Sequence, residues 1–119
     1  MNFEQIRNTV RKHPNYQNVG MVLYHNGVVR GTSRDGRKVS GLRVAADNGK
    51  LRQIIAEQKK RPGIVEILVE IAEDRDLAVG DDVMFIAVAG DIRENVIAVL
   101  TDTLNAVKAT VTSKTEFFT

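Results

Sequence analysis

The chain has 119 residues, of which 43% are hydrophobic and 27% charged, the balance of a single folded globular domain. It has no cysteine and two histidines, which excludes disulfides, thiolate metal sites and a cysteine nucleophile, and leaves little for a histidine metal site. The net charge of +2 conceals an asymmetry: residues 1–61 carry 13 Lys/Arg against 4 Asp/Glu, whereas residues 62–119 carry 4 against 11. A basic half suits an anionic ligand or an acidic partner surface. No apolar run reaches the roughly 18 residues needed to span a membrane. The amphipathic start has no apolar signal-peptide segment, so a cytoplasmic protein is expected.

Taken in chain order, residues 2–13 read as a helix, with Phe3, Ile6 and Val10 at helical spacing and His13-Pro14 as its stop. Residues 1–18 thus form an N-terminal helix and connection. Residues 19–25 read as a buried strand, and Asn26-Gly27 is a turn or bulge signal. Residues 31–37 are turn-rich, with Asp35-Gly36 at the tip, and Val39 to Val44 reads as the return strand of a first hairpin. Asp47 or Asn48 caps a predicted helix over 49–61, ended by Pro62-Gly63. Residues 64–71 alternate apolar and polar as a half-exposed strand. Residues 72–82 read as an acidic loop, and 83–89 as a central buried strand. Asp91 is placed to cap a helix over 92–108, with Val96, Val99, Leu100, Leu104 and Val107 as its apolar stripe. Residues 110–118 read as a last strand. The order αβββαββαβ over one domain, 1–119, predicts an α+β fold with a mixed or antiparallel sheet.

No catalytic triad, zinc motif, P-loop or dinucleotide fingerprint is present. The candidates are isolated cations. Arg30, Arg34, Arg37 and Lys38 lie around the predicted hairpin, and Arg93, Lys108 and Lys114 stand out in the acidic half. Arg93 opens the long helix beside free N–H groups, a plausible anion site, although surface pairing with Asp91 or Glu94 serves equally. Lys108 closes that helix, where a cation suits the dipole, and Lys114 lies mid-strand, where edge lysines are common. Arg93 and Lys108 are 15 residues apart, or about 22 Å along a helix. One small ligand can touch both only across a two-fold homodimer.

The order and spacing of several segments resemble the large, catalytic subunit of molybdopterin synthase over about Val19 to Phe118. The anchors are Gly20 to Gly27 with Arg30, the Asp35 to Leu42 segment, Leu77 to Asp81, the helix from Arg93 to Lys108, and Lys114, Glu116 and Phe118 in the tail. The resemblance implies a hammerhead-like α+β fold and a central homodimer within a heterotetramer. It implies a ubiquitin-like small subunit whose C-terminal Gly-Gly thiocarboxylate enters a pocket of the large subunit. Two sulfurs then pass to cyclic pyranopterin monophosphate, giving the dithiolene of molybdopterin, with no permanently bound cofactor. The absence of cysteine fits a sulfur donor in trans. By the same resemblance Lys108 is the catalytic lysine, able to serve as acid or base if burial lowers its pKa. Lys114 is the second active-site lysine. Arg30 and Arg37 belong to the substrate-binding set, and Arg93 reaches the pterin or its phosphate across the dimer. The sequence departs from the family pattern at Ile92, where a histidine is usual, at the shortened 44–50 segment, and at Thr110 to Ser113, where a Pro-x-Trp is usual. A homologue that binds the small subunit or pterin without turnover is the alternative reading. A nucleic-acid-binding domain using the cations from Arg30 to Arg43 is a weaker one, because no aromatic residue is interleaved with them.

Overall fold

The structure, a computed structural model, describes residues 2–119. The first helix, α1 (Phe3–Arg11), starts where the Asn2 side chain accepts from the Glu4 N–H at 2.9 Å, and it buries Ile6 and Val10. A single 3₁₀ turn leads into β1 (Met21–Val28). Then come β2 (Val39–Ala46), α2 (Asn48–Lys59), β3 (Ile64–Ile71), β4 (Asp76–Ala78), β5 (Asp82–Gly90), α3 (Arg93–Ala106) and β6 (Thr112–Phe118). A π-helical turn, Val107–Val111, joins α3 to β6.

The strands form two antiparallel three-stranded sheets, ordered β1-β5-β3 and β4-β2-β6. The α+β class is therefore as expected, with the strands divided between two sheets. The apolar run of β5 is the centre of the first sheet, buried on both faces. Ile67, Met84, Ile86 and Val88 pack on one face against Leu51 and Ile54 of α2 and Val96 and Val99 of α3. Phe85, Ala87 and Ala89 pack on the other face against Ile6 and Val10 of α1. Val29, Leu42, Val44, Ala72 and Leu77 form a third apolar cluster. Its members come from β2, β4 and the chain just beyond β1 and β3, so it joins the two sheets.

Several expectations need correction. β2 is not the return strand of a hairpin with β1: it lies in the second sheet, between β4 and β6. β1 spends its ladder on β5 across eight positions, and the Asn26-Gly27 signal marks a bulge in that ladder. The acidic loop contains β4, held by Leu77 in the core and by Arg43, which pairs with Asp76 at 3.1 Å and donates to the Asp74 carbonyl at 2.7 Å. Gly41 permits the close approach of β2 to β4, since a Cβ there would strike the Leu77 carbonyl oxygen. The cap of α2 is Asp47, whose carboxylate accepts from the Lys50 N–H at 3.0 Å.

The long helix differs at both ends. Its N-cap is Ile92, not Asp91; Asp91 instead accepts from the Ile92 N–H at 2.7 Å and from the Asn95 amide at 2.9 Å. At the other end the α-helix stops at Ala106 and widens into the π turn, so the β-branched Thr110 and Val111 remain helical. Burial explains this. Val107 and Val111 both sit in the main core, and continued helix keeps them there.

Candidate active site

A cavity of about 440 Å³ opens where the end of β1, the 31–38 loop, β2, the start of β5, the π turn and β6 converge. That volume is in the range of small-molecule sites. Its apolar floor is Leu42, Val44, Val83 and Met84, and its polar lining is His25, Arg34, Lys108, Thr112 and Lys114. Among the described residues, no carboxylate side chain lines it. Three cations over an apolar floor make a receptor for an anion with an apolar or planar body.

Each polar group is placed by a local rule. The π turn anchors Val107 and Val111 in the core and leaves Lys108 on the exposed side, facing the cavity. Such turns are frequent at functional sites. Lys114 stands directly opposite Val44 in the β2–β6 ladder. Thr112 and Lys114 are two apart, so strand alternation gives them one face. His25 shares the core-facing side of β1 with Met21 and Leu23, opposite Ile86. Gly27 follows on the same side, and a Cβ there would lie only 3.4 Å from His25 Nε2. Burial, and then the nearby Lys108 charge, hold the His25 pKa below its ordinary value, so the ring is neutral at pH 7.

Arg34 is carried by a short, closed loop. Thr32 and Lys38 bridge its base, Gly36 takes φ +86°, and the Ser33 hydroxyl accepts from the Arg37 N–H at 3.2 Å. Ser33 also donates to Asp35, which holds that carboxyl below its usual range. Arg37 lies over the Phe118 ring, 3.7 Å from its centroid, and so ties the loop to β6.

The cavity therefore unites Lys108 with Lys114. Arg30, Arg37 and Arg93 are not among its lining residues. Arg30 Nε donates to the Thr32 carbonyl at 2.8 Å, at the root of the loop. Arg93 is exposed at the far end of α3 and pairs with Glu94 at 3.3 Å. Of the candidate cations around the 31–38 loop only Arg34 lines the cavity, and it is joined by His25, which is not among the candidates. Alternation on β1 carries the signal for His25, in phase with Met21 and Leu23. Arg34 has no local signal beyond its charge. Lys108 is exposed in the single chain. The burial that would adapt it to acid–base work is not supplied by this chain alone.

Among the described residues, no three His, Asp or Glu side chains cluster as metal ligands, and no helix is long and apolar enough to cross a membrane. The family model described as MoaE protein matches residues 1–110. The chain belongs to the MoaE protein family. This is the molybdopterin synthase large-subunit family that its anchors resemble, and it places the chain in molybdenum cofactor biosynthesis. Among solved structures, molybdopterin synthase from Staphylococcus aureus is similar with a TM-score of 0.81 and 24% identity, covering 100% of this chain and 86% of that one. Molybdopterin cofactor biosynthesis protein E from Burkholderia multivorans gives 0.77 and 21%, covering 100% and 82%. A complex of subunits 1 and 2 of molybdopterin-converting factor from Helicobacter pylori gives 0.73 and 14%, covering 99% and 84%. At these identities the structures establish that the MoaE-family fold is kept from end to end. No curated protein matches the sequence.

Proposed function

We propose that this MoaE-family chain is the sulfurtransferase subunit of a cytoplasmic molybdopterin synthase. The cavity admits the C-terminal Gly-Gly thiocarboxylate of a ubiquitin-like small subunit together with cyclic pyranopterin monophosphate. Two sulfurs pass to the pterin and form the dithiolene of molybdopterin. The single observation that carries this reading is the meeting of Lys108 and Lys114 in one cavity whose lining has cations and no carboxylate. Both substrates are anions, so the site offers them complementary charge. Lys108 hydrogen-bonds the thiocarboxylate and, as a cation, stabilises the negative charge that develops there. Lys114 orients the anionic end, and docking of the small subunit excludes water and strengthens both interactions. No resident cofactor is required, because the sulfur arrives on the partner.

Arg93 completes the site from a second copy of the chain, within a homodimer at the centre of a heterotetramer. A guanidinium fork there binds the pterin phosphate bidentately. Arg30 and Arg37 act on the substrate through the loop they brace. The reading is tested by reconstitution with thiocarboxylated small subunit and the cyclic monophosphate, followed by mass spectrometry of the pterin. Lys108→Ala is expected to lower product formation by at least about 100-fold while small-subunit binding persists. Lys108 is exposed, so folding should be unaffected. Wild-type chain that binds the small subunit and forms no product would instead support the non-catalytic reading, which Ile92, in place of the family's histidine and 53% exposed, favours.

A further inference from the structure

Sulfur transfer from a thiocarboxylate has a second half, and the cavity contains a group suited to it. When the sulfur of R–C(=O)–S⁻ adds to an electrophilic carbonyl carbon of the pterin side chain, that C=O π bond breaks and its electron pair moves to oxygen, and donor and acceptor become joined as a thioester. Freeing the pterin sulfur takes one water. Its oxygen bonds to the carbonyl carbon, the carbon–sulfur bond breaks, and the electron pair stays on sulfur. The acyl group leaves as a carboxylate. Two protons are released, one from the attacking water to a base and one from the nascent carboxylic acid to solvent.

We propose that His25 is the general base that takes the first of those protons, which makes it a catalytic residue for the reaction proposed above and rests on that reading. The chemistry of the lining leaves little choice. Arg34, Lys108 and Lys114 as cations have N–H donors and no lone pair to offer. The Thr112 hydroxyl is no base near neutrality, and among the described residues no carboxylate lines the cavity; Glu116 lies outside the lining, paired with Lys114 at 4.0 Å. The imidazole alone presents a basic nitrogen. Its position is built: β1 directs it to the core-facing side, in phase with Met21 and Leu23, where it joins the cavity lining. The charged groups that share its cavity are Lys108 from the π turn, Lys114 from β6 and Arg34 from the loop, while β2 and β5 contribute only apolar lining residues. Burial, and then the Lys108 charge, disfavour an imidazolium, so the ring rests in the form that can accept a proton. Acid and base are then separate residues, Lys108 stabilising the departing sulfur and carbonyl oxygen, His25 activating the water.

The test is a single-turnover reconstitution read by intact mass of the small subunit, with wild type, His25→Gln and His25→Ala, each checked by circular dichroism and small-subunit binding. Wild type should yield free dithiolene and carboxylate-ended small subunit. His25→Gln should trap the small subunit linked to the pterin, with release slowed about 100-fold. Added imidazole should restore release in His25→Ala. Release by wild type should fall as pH drops through the lowered histidine pKa, and the variants should lose that dependence. Release by His25→Gln at the wild-type rate overturns the proposal, and so does a folded, partner-bound variant that stalls before any adduct forms. Wild type that transfers no sulfur at all removes the underlying sulfurtransferase reading instead, and this proposal with it.

Discussion

The two ends of α3 are built in opposite ways. At the C-terminal end Val107, 0% exposed, and Val111, 5% exposed, lock the π turn into the main core. Lys108 is thereby fixed in a cavity that both sheets help to form. At the N-terminal end Ile92 provides no side-chain cap and is half exposed, and Arg93 faces solvent with Glu94 as its partner. One end is a preorganised site and the other is a surface. The difference teaches that a single chain assembles only part of the machinery assigned to it. Under the proposed function, the N-terminal end acts only when a second copy of the chain is laid against it.

The largest effect should come from mixing variants that each disable one end. If Arg93 serves the neighbouring subunit's cavity, Arg93→Ala and Lys108→Ala homodimers are both inactive. A mixed dimer then keeps one site with both residues intact. An equimolar mixture, after subunit exchange, should regain about a quarter of wild-type activity in the reconstituted assay. No recovery breaks the idea of a shared site and leaves Arg93 as a surface residue. Next in size is Val107→Ala, which removes two buried methyl groups from the anchored end. It should cost about 2 kcal/mol in urea unfolding. It should also lower turnover without touching substrate, by loosening the turn that aims Lys108. The smallest effect lies between the two ends. Thr103 is fully buried on α3, and its hydroxyl has no hydrogen-bond partner among the described residues. Thr103→Val keeps the shape and removes the unpaired group, so it should raise stability by about 1 kcal/mol, seen as a higher Tm, with turnover unchanged.

Much of the fold is legible in local sequence because its causes are local. Ile6 and Val10 at helical spacing, the apolar run of β5 and the Asp47 cap each act within a few residues of themselves. β2 was legible as a strand and not as a member of the second sheet. Turn chemistry at Asp35-Gly36 reports that the chain reverses, not which strand edge is free to receive it. β4 has three residues, too few for a periodic signal, and exists because Leu77 finds a core and Arg43 finds Asp76. The π turn carries no residue signature of its own. It follows from the demand that Val107 and Val111 both be buried.

The same division applies to the site. Lys108 and Lys114 could be singled out because cations are scarce in the acidic half, and a spacing argument on a straight helix sufficed to separate Arg93 from Lys108. The sequence by itself determined the longer helices and strands, the core faces and the family. Periodicity, caps and residue spacing are properties of the chain before it folds. Only the tertiary structure decided that His25 and Arg34 join the lysines while Arg37 turns to Phe118. A cavity is a relation among surfaces 9, 74 and 80 residues apart in the chain, measured from His25 to Arg34, Arg34 to Lys108 and Arg34 to Lys114. No local pattern encodes which side chains two separately formed sheets will bring face to face.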